Sequence, residues 1–190
     1  MKSPVPWSRY QGSNAHETPR YKIISMSSHG GLILFRGIPS AYIDRTGHFG
    51  IWSIERFFMN AVFLACRKGY FDRTNLDDES TSVFMVGQSL RLSTHLYRDI
   101  AHLSSSDLLV TSRAAAVGRT SMTNLYILSC ADTKMELVRC TTTLVHTSID
   151  SRRPTPLPEW FEDKYTSITD TNLDFLKNGI KTKREYQNVP

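Results

Sequence analysis

The chain has 190 residues, 40% of them hydrophobic and 22% charged, with a net charge of +5 and a pI of about 9.2. These totals are ordinary for one soluble globular domain with tails, and no apolar run approaches the length of about 18 residues that a membrane-spanning helix needs. The positive charge favours an anionic partner, but it does not choose among a phosphate-rich ligand, nucleic acid and acidic lipid.

Residues 1–30 are predicted to be an N-terminal extension. Prolines, Gly12 and scattered serines break any hydrophobic period there, and Glu17 is the one acidic residue. A basic, serine-containing and acid-poor start is a loose match to an organelle transit peptide, although no arginine-rich amphipathic helix is visible. An extension of this kind usually needs a surface to lie against, which suggests a protein partner.

The next segments predict an extended run followed by a long helix. Residues 31–43 are mostly apolar and interrupted by Pro39, which is typical of an edge or bulged strand. Residues 51–68 carry apolar side chains at helical spacing, and Gly69 provides a stop signal. The apolar arc of this helix is wide, so we expect it to be deeply buried against a sheet.

The rest of the chain predicts antiparallel strands. Residues 81–97 alternate as one strand whose phase slips around Gly87, Gln88 and Ser89, which indicates a β-bulge. After a loop at residues 98–106, three strand-like runs at residues 107–117, 122–130 and 135–149 are joined by hairpin-length turns. A proline-containing segment, residues 152–158, ends the sheet. Short helices are predicted at residues 159–165 and 171–177. The predicted class is α+β, with a strongly bent antiparallel sheet around one long helix.

A carboxylate stands where the extended run meets the helix, in the sequence Asp44-Arg45-Thr46-Gly47-His48-Phe49-Gly50. A helix N-terminus offers unpaired N–H groups and a positive dipole end, so an acid beside it could attack a carbonyl that those donors polarise, or activate water to do so. Asp44 could equally cap the helix. His48 could belong to such a site or be an ordinary packed or surface histidine.

Metal chemistry is not expected. Cys66, Cys130 and Cys140 form no CxxC pair, and the histidines show no ligand spacing. The cysteines are predicted to be buried free thiols, which fits a reducing compartment.

The motif Asp44-x-x-Gly47-His48, the aromatic pair Phe57-Phe58, the strand order after the helix and the Arg153-to-Pro158 segment together resemble the hot-dog fold thioesterases. The likeness is to the 4-hydroxybenzoyl-CoA thioesterase and acyl-CoA thioester hydrolase group. It implies an N-terminal extension at 1–30, a hot-dog domain at 31–162 and a C-terminal helical and basic extension at 163–190.

The resemblance implies hydrolysis of an acyl-CoA or acyl-carrier thioester without a cofactor, coenzyme A being part of the substrate. Asp44, Gly47 and His48 fall at the catalytic motif, with Asp44 as nucleophile or general base. Substrate contacts are expected from the start of the helix: Gly50, Ile51, Trp52, Glu55 and Phe58. A homodimer or a heterodimer of hot-dog chains is expected, with arginines gripping the coenzyme A phosphates.

Two positions depart from the family pattern. Gly50 stands where many relatives keep an asparagine, and Met59 stands where they often keep an acid; Glu55, one turn earlier, could replace that acid only if it points into the site. The alternative is therefore a catalytically degenerate hot-dog domain that serves as a structural subunit of a larger assembly. We expect an intracellular protein, with a mitochondrial location slightly favoured over a cytoplasmic one, and no main role in nucleic-acid binding.

Overall fold

The computed structural model describes residues 21–27, 30–70, 76 and 79–165. The helices and strands within these residues are β1 (Tyr21–Met26), β2 (Gly30–Arg36), a 3₁₀ turn (Ser40–Tyr42), α1 (Ile51–Arg67), β3 (Thr81–Leu92), α2 (His95–Arg98), α3 (Ile100–Leu103), β4 (Asp107–Val117), β5 (Ser121–Cys130), β6 (Glu136–Ser148) and α4 (Glu159–Tyr165).

The six strands form one antiparallel sheet in the order β1-β2-β4-β5-β6-β3. The predicted α+β class and the antiparallel pairing of the last three strands are thereby confirmed. β1 lies within the segment predicted as an extension, because Ile23 and Ile24 stand side by side and give no period-2 signal. It pairs with β2 as an edge strand, so the sheet begins before residue 31.

The predicted bulge in β3 is present, as a register shift between Met85 and Gly87 against β6. It changes which side chains face the core. Val83 is buried before the shift, whereas Leu90 and Leu92 pack on the core after it. The strand ends at Leu92 rather than at residue 97. The short helices α2 and α3 occupy the residues that were predicted to be the end of the strand and the following loop. Leu96 and Leu103 from these short helices are buried, which explains the continued apolar pattern.

Helix α1 packs on β2 and β4 through a stripe of fully buried residues. It begins and ends as predicted to within one residue, and Gly69 follows it with φ +94°, a left-handed conformation that suits glycine. The helix is more exposed than expected, since Trp52 and Phe63 on the side opposite the stripe and Ile51 at its first residue face solvent. The buried stripe consists of Ile54, Phe57, Phe58, Ala61 and Ala65.

Within the described segments, no helix has the length and apolar character that crossing a membrane would require. The second predicted C-terminal helix, at residues 171–177, and most of both predicted extensions lie outside the described residues.

Phe57 is the centre of an aromatic cluster and generates the first prediction. Its ring lies 4.8 Å from that of Phe35 and 6.0 Å from those of Tyr42 and Phe49, measured between centroids. Phe57→Ala should lower the free energy of unfolding by about 3–5 kcal/mol, because it leaves a cavity in a close-packed core. Urea denaturation measures this. Phe63→Ala on the same helix, where the side chain is 38% exposed, should cost clearly less; equal losses would contradict the assignment.

Candidate active site at the start of the central helix

Asp44 is the acceptor around which the turn before α1 is built. Its Oδ1 atom accepts hydrogen bonds from the Thr46 N–H (2.9 Å), the Thr46 hydroxyl (2.6 Å) and the His48 N–H (3.0 Å). Gly47 donates its N–H to the Asp44 carbonyl and has φ +80°, which only glycine adopts freely. Asp44 therefore organises a tight turn. All three hydrogen bonds to the carboxylate are accepted by Oδ1. Within the described residues, Oδ2 is therefore the carboxylate atom open to a reacting group.

The Thr46 hydroxyl connects Asp44 to His48. It lies 2.8 Å from His48 Nδ1, and its one proton is committed to the Asp44 carboxylate. The hydroxyl oxygen must then accept from the histidine, so His48 carries a proton on Nδ1 and, when neutral, leaves Nε2 as an acceptor. The His48 ring also lies 6.1 Å from the ring of Tyr97, a residue of α2. The structure thus brings Asp44, Gly47 and His48 together in one hydrogen-bonded turn.

The pKa of Asp44 is lowered, first by the hydrogen bond from the Thr46 hydroxyl and then by the bond from the His48 N–H. Such bonds stabilise the carboxylate over the carboxylic acid. The turn is therefore favoured by ionisation above the ordinary carboxyl pKa, and this contribution is lost as the pH falls through the lowered value. At neutral pH Asp44 is ionised and a weak base.

Asp44 does not cap α1. The helix has Gly50 as its N-cap, with no side-chain cap bond, and its backbone ladder begins with the Ile54 N–H donating to the Gly50 carbonyl. The alternative interpretation of Asp44 as a helix cap was wrong. Asp44 lies six residues before the N-cap, and its Oδ1 atom accepts the hydrogen bonds of the turn instead. The first N–H groups of α1 therefore have no side-chain acceptor from the described part of the chain, and a ligand oxygen could accept from them.

A cleft of about 330 Å³ opens between the first turns of α1 and the strand β3. Three of the predicted substrate-binding residues, Ile51, Trp52 and Glu55, line it from the helix. Trp52 is 80% exposed and Glu55 partly buried. Glu55 thus borders the cleft beside the start of the helix. The remaining lining residues come from the strand and are Gln88 and Leu90.

Gln88 is a site residue that the sequence reasoning did not single out. Its Nε2 atom donates to the sulfur of Cys140 at 3.5 Å, and the same sulfur lies 3.8 Å from the Thr142 hydroxyl. The pKa of the Cys140 thiol is raised, mainly by burial and also by the nearby charge of Glu55, against the lowering effect of the bonds from Thr142 and Gln88. Gln88 was interpreted only as part of a bulge; the alternation with Leu90 and Leu92 was the signal that it lies on the same face of the strand as they do, although its own side chain is exposed.

Phe58 lies apart from the cleft. It belongs to the buried stripe of α1, is 1% exposed, and its ring lies 6.3 Å from that of Tyr126 in the core. Gly50 lies at the N-cap beside the cleft residue Ile51. Among the residues that the structure describes, no three or more His, Cys, Asp or Glu side chains form a group that could hold a metal ion.

The fold and this site were compared with known proteins. No protein-family model matches the sequence, and no curated protein is significantly similar to it. Solved structures do match. A 1,4-dihydroxy-2-naphthoyl-CoA thioesterase from Synechocystis superposes with a TM-score of 0.58 at 16% identity, over 74% of this chain and 96% of the other.

Two further matches have the same architecture. A 12:0-ACP thioesterase from Umbellularia californica gives a TM-score of 0.58 at 15% identity over 73% of this chain, which spans 55% of the plant protein. A Pseudomonas aeruginosa protein gives 0.55 at 17% identity, over 80% of this chain and 99% of the other. This chain has the hot-dog fold. The predicted fold is confirmed, and α1 is the central helix of this hot-dog domain.

The Thr46 hydroxyl generates a prediction about ionisation. Thr46→Val keeps the shape of the side chain but removes the bond that lowers the pKa of Asp44 most. The pKa of Asp44 should rise toward its ordinary value, as followed by carbon-detected NMR titration of the carboxylate. Thr46→Ser keeps a hydroxyl and should titrate close to the wild type. A midpoint unchanged in Thr46→Val would show that the bond does not control this carboxylate.

Proposed function

We propose that this hot-dog domain hydrolyses an acyl-CoA or acyl-carrier thioester at the start of α1. One observation carries the proposal: the uncapped N-terminus of α1 borders a mostly apolar cleft that also contains a carboxylate, Glu55. The N–H groups near Gly50, Ile51 and Trp52 can stabilise the oxyanion that forms on a thioester carbonyl. The apolar walls suit an acyl group.

Asp44 is proposed to be the nucleophile. A carboxylate with a lowered pKa is a poor general base, but it is fully ionised at neutral pH, and its Oδ2 atom is not used by the turn. Oδ2 attacks the thioester carbonyl carbon, the C–S bond breaks, and the thiolate leaves as a mixed anhydride forms on Asp44. Gly47 and His48 hold the carboxylate in position, since both belong to its turn.

The substrate proposal includes coenzyme A or a carrier protein as the thiol portion, and no separate cofactor is invoked. Arg91 is exposed on β3 next to the cleft residue Leu90, and Arg98 is exposed on α2. Both are suited to contacting phosphate groups, because a guanidinium can bind phosphate oxygens through two parallel hydrogen bonds.

The proposed nucleophile is tested with Asp44→Asn, which retains an acceptor at Oδ1 and so keeps the turn. Thiol release from acetyl-CoA, benzoyl-CoA and palmitoyl-CoA should be detectable for the wild type and should fall by roughly 10²–10⁴-fold or more in the variant. Asp150→Asn, an exposed carboxylate after β6, is the matched control and should keep full activity. Wild-type inactivity across acyl-CoA and acyl-carrier substrates would refute the hydrolase proposal.

We also propose that the domain works as a homodimer or as a heterodimer with another hot-dog chain, joined along β3. Within the described sheet this strand is hydrogen-bonded to β6, and along its other edge the stretch around Phe84, Met85 and Val86 is open. Phe84, Met85 and Val86 on it are 52%, 49% and 63% exposed. An exposed, apolar and unpaired edge favours pairing with another strand. Such a partner would lie beside the cleft, because Gln88 and Leu90 are on the same strand.

Light scattering during gel filtration tests the dimer. Val86→Lys places a charge on the open edge and should shift a dimeric wild type to monomers. Ile24→Lys is the matched change on β1, at the other edge of the sheet, where the side chain is 48% exposed, and should leave the dimer intact. If only Ile24→Lys dissociated the dimer, the interface would lie at β1 and not at β3.

The second candidate function is a non-catalytic subunit of a larger assembly. The observation that favours it is the same apolar edge, which an unrelated chain could also cover, together with the 80% exposure of Trp52. The activity assay separates the two candidates: a subunit without catalysis gives no Asp44-dependent thiol release from any acyl-CoA or acyl-carrier substrate.

A further inference from the structure

The face of the sheet that points away from α1 is buried at its centre. Side chains alternate along β5: the ring of Tyr126 lies 6.3 Å from that of Phe58 on the helix, so Leu125 points to the other face. Leu125 is nevertheless only 1% exposed, and its cross-strand partner Thr141 on β6 is 6% exposed. The described helices do not cover this outer face, because their buried side chains belong to the core cluster on the helix side.

Neighbouring side chains on the outer face do not account for this burial. The long side chain of Arg113, which pairs with Leu125 from β4, could shield it. However, the Nε atom of Arg113 is itself buried. On β3, by contrast, Ser89 pairs directly with Thr141 and is exposed. The pattern therefore indicates a layer of chain over β4, β5 and β6 that ends before β3.

We propose that residues 1–20 dock on this outer face as a further layer of the domain, with the rings of Trp7 and Tyr10 packed against Leu125 and the Arg113 guanidinium. The burial of Leu125 is present in a single copy of the chain, so the cover is a segment of the same chain. The extension that was predicted to need a surface thus has one within its own domain. This docking is independent of the proposed hydrolysis.

The position of β1 favours residues 1–20 over the other long segment outside the described residues, 166–190. Residues 166–190 follow Tyr165, which is fully buried in the core on the helix side. Residues 1–20 lead directly into β1, an edge strand that lies three strand spacings, about 15 Å, from β5. Twenty extended residues reach about 70 Å at most, so the segment is long enough to cross the face.

The residue types in this segment also suit the outer face. Its two aromatic side chains, Trp7 and Tyr10, match a face with an apolar centre and a guanidinium, because arginine stacks on aromatic rings. Pro4 and Pro6 lack an N–H group and cannot take part in a strand ladder. They therefore favour a segment that crosses the face of the sheet over one that pairs with its edge.

Thiol labelling of the full chain tests the docking. Thr141→Cys should react with iodoacetamide about tenfold or more slowly than Ser89→Cys, its exposed cross-strand partner. Adding Trp7→Ala and Tyr10→Ala should speed the reaction of Thr141→Cys by about tenfold or more, because two ring contacts are lost, and should not change that of Ser89→Cys. Tandem mass spectrometry locates the label. Native Cys140, on the helix side of β6 and 0% exposed, should stay unlabelled throughout.

The docking is refuted by any of four outcomes. Equal rates for Thr141→Cys and Ser89→Cys would show that the face is open. A slow rate that the Trp7 and Tyr10 changes do not raise would exclude these rings as the cover. A rise caused instead by changing both aromatic residues of 166–190 to alanine would assign the face to that segment. A Thr141→Cys rate that falls as the protein concentration rises would mean that a second copy covers the face.

The double variant has its own control for loss of structure. If Cys140 is labelled together with the introduced thiol, the whole fold has loosened, and Trp7→Ala and Tyr10→Ala are then measured singly. Each single change should raise the Thr141→Cys rate while Cys140 stays protected. A rate that neither single change raises would also refute the docking.

Discussion

The packing of α1 against the sheet is the constraint on which the rest of the structure depends. Phe57 reaches three other rings, and each belongs to a different segment: Phe35 to β2, Tyr42 to the 3₁₀ turn and Phe49 to the residue pair that precedes the helix. Burying these rings fixes both ends of the segment that contains Asp44. The turn is exposed, yet its ends are anchored in the core, so a surface carboxylate acquires a defined position.

The site combines two kinds of electrostatic environment within a short stretch of chain. Asp44 is exposed, and local donors keep it ionised, whereas Glu55 shares a cleft with three apolar residues and an amide. Glu55 and Met59 are four residues apart and so lie on the same side of α1. Glu55 lies one turn, about 5.4 Å, closer to the helix N-terminus than Met59, where the dipole favours negative charge.

The sequence predicted the elements whose signals are local. The apolar stripe and Gly69 defined α1, the short turns defined the antiparallel order of β4 to β6, and the phase slip located the bulge in β3. It missed β1, whose stability comes from pairing with β2 rather than from its own pattern. It also missed Gln88, because placing this amide opposite Glu55 requires knowing which way the strand faces after the bulge and how the sheet curves around the helix.

The Asp44 motif shows why a residue pattern can identify a fold more firmly than a mechanism. Aspartate, threonine, glycine and histidine are sufficient to build this turn, since every polar bond described within it is local. The same bonds would form whether or not a thioester ever bound. What would separate catalysis from architecture lies outside the turn, at the uncapped start of α1 and in the cleft that Glu55 and Gln88 line. The apolar edge of β3 bears on both catalysis and assembly. A second chain paired along it would extend the cleft wall next to Gln88 and shield the reacting groups from water.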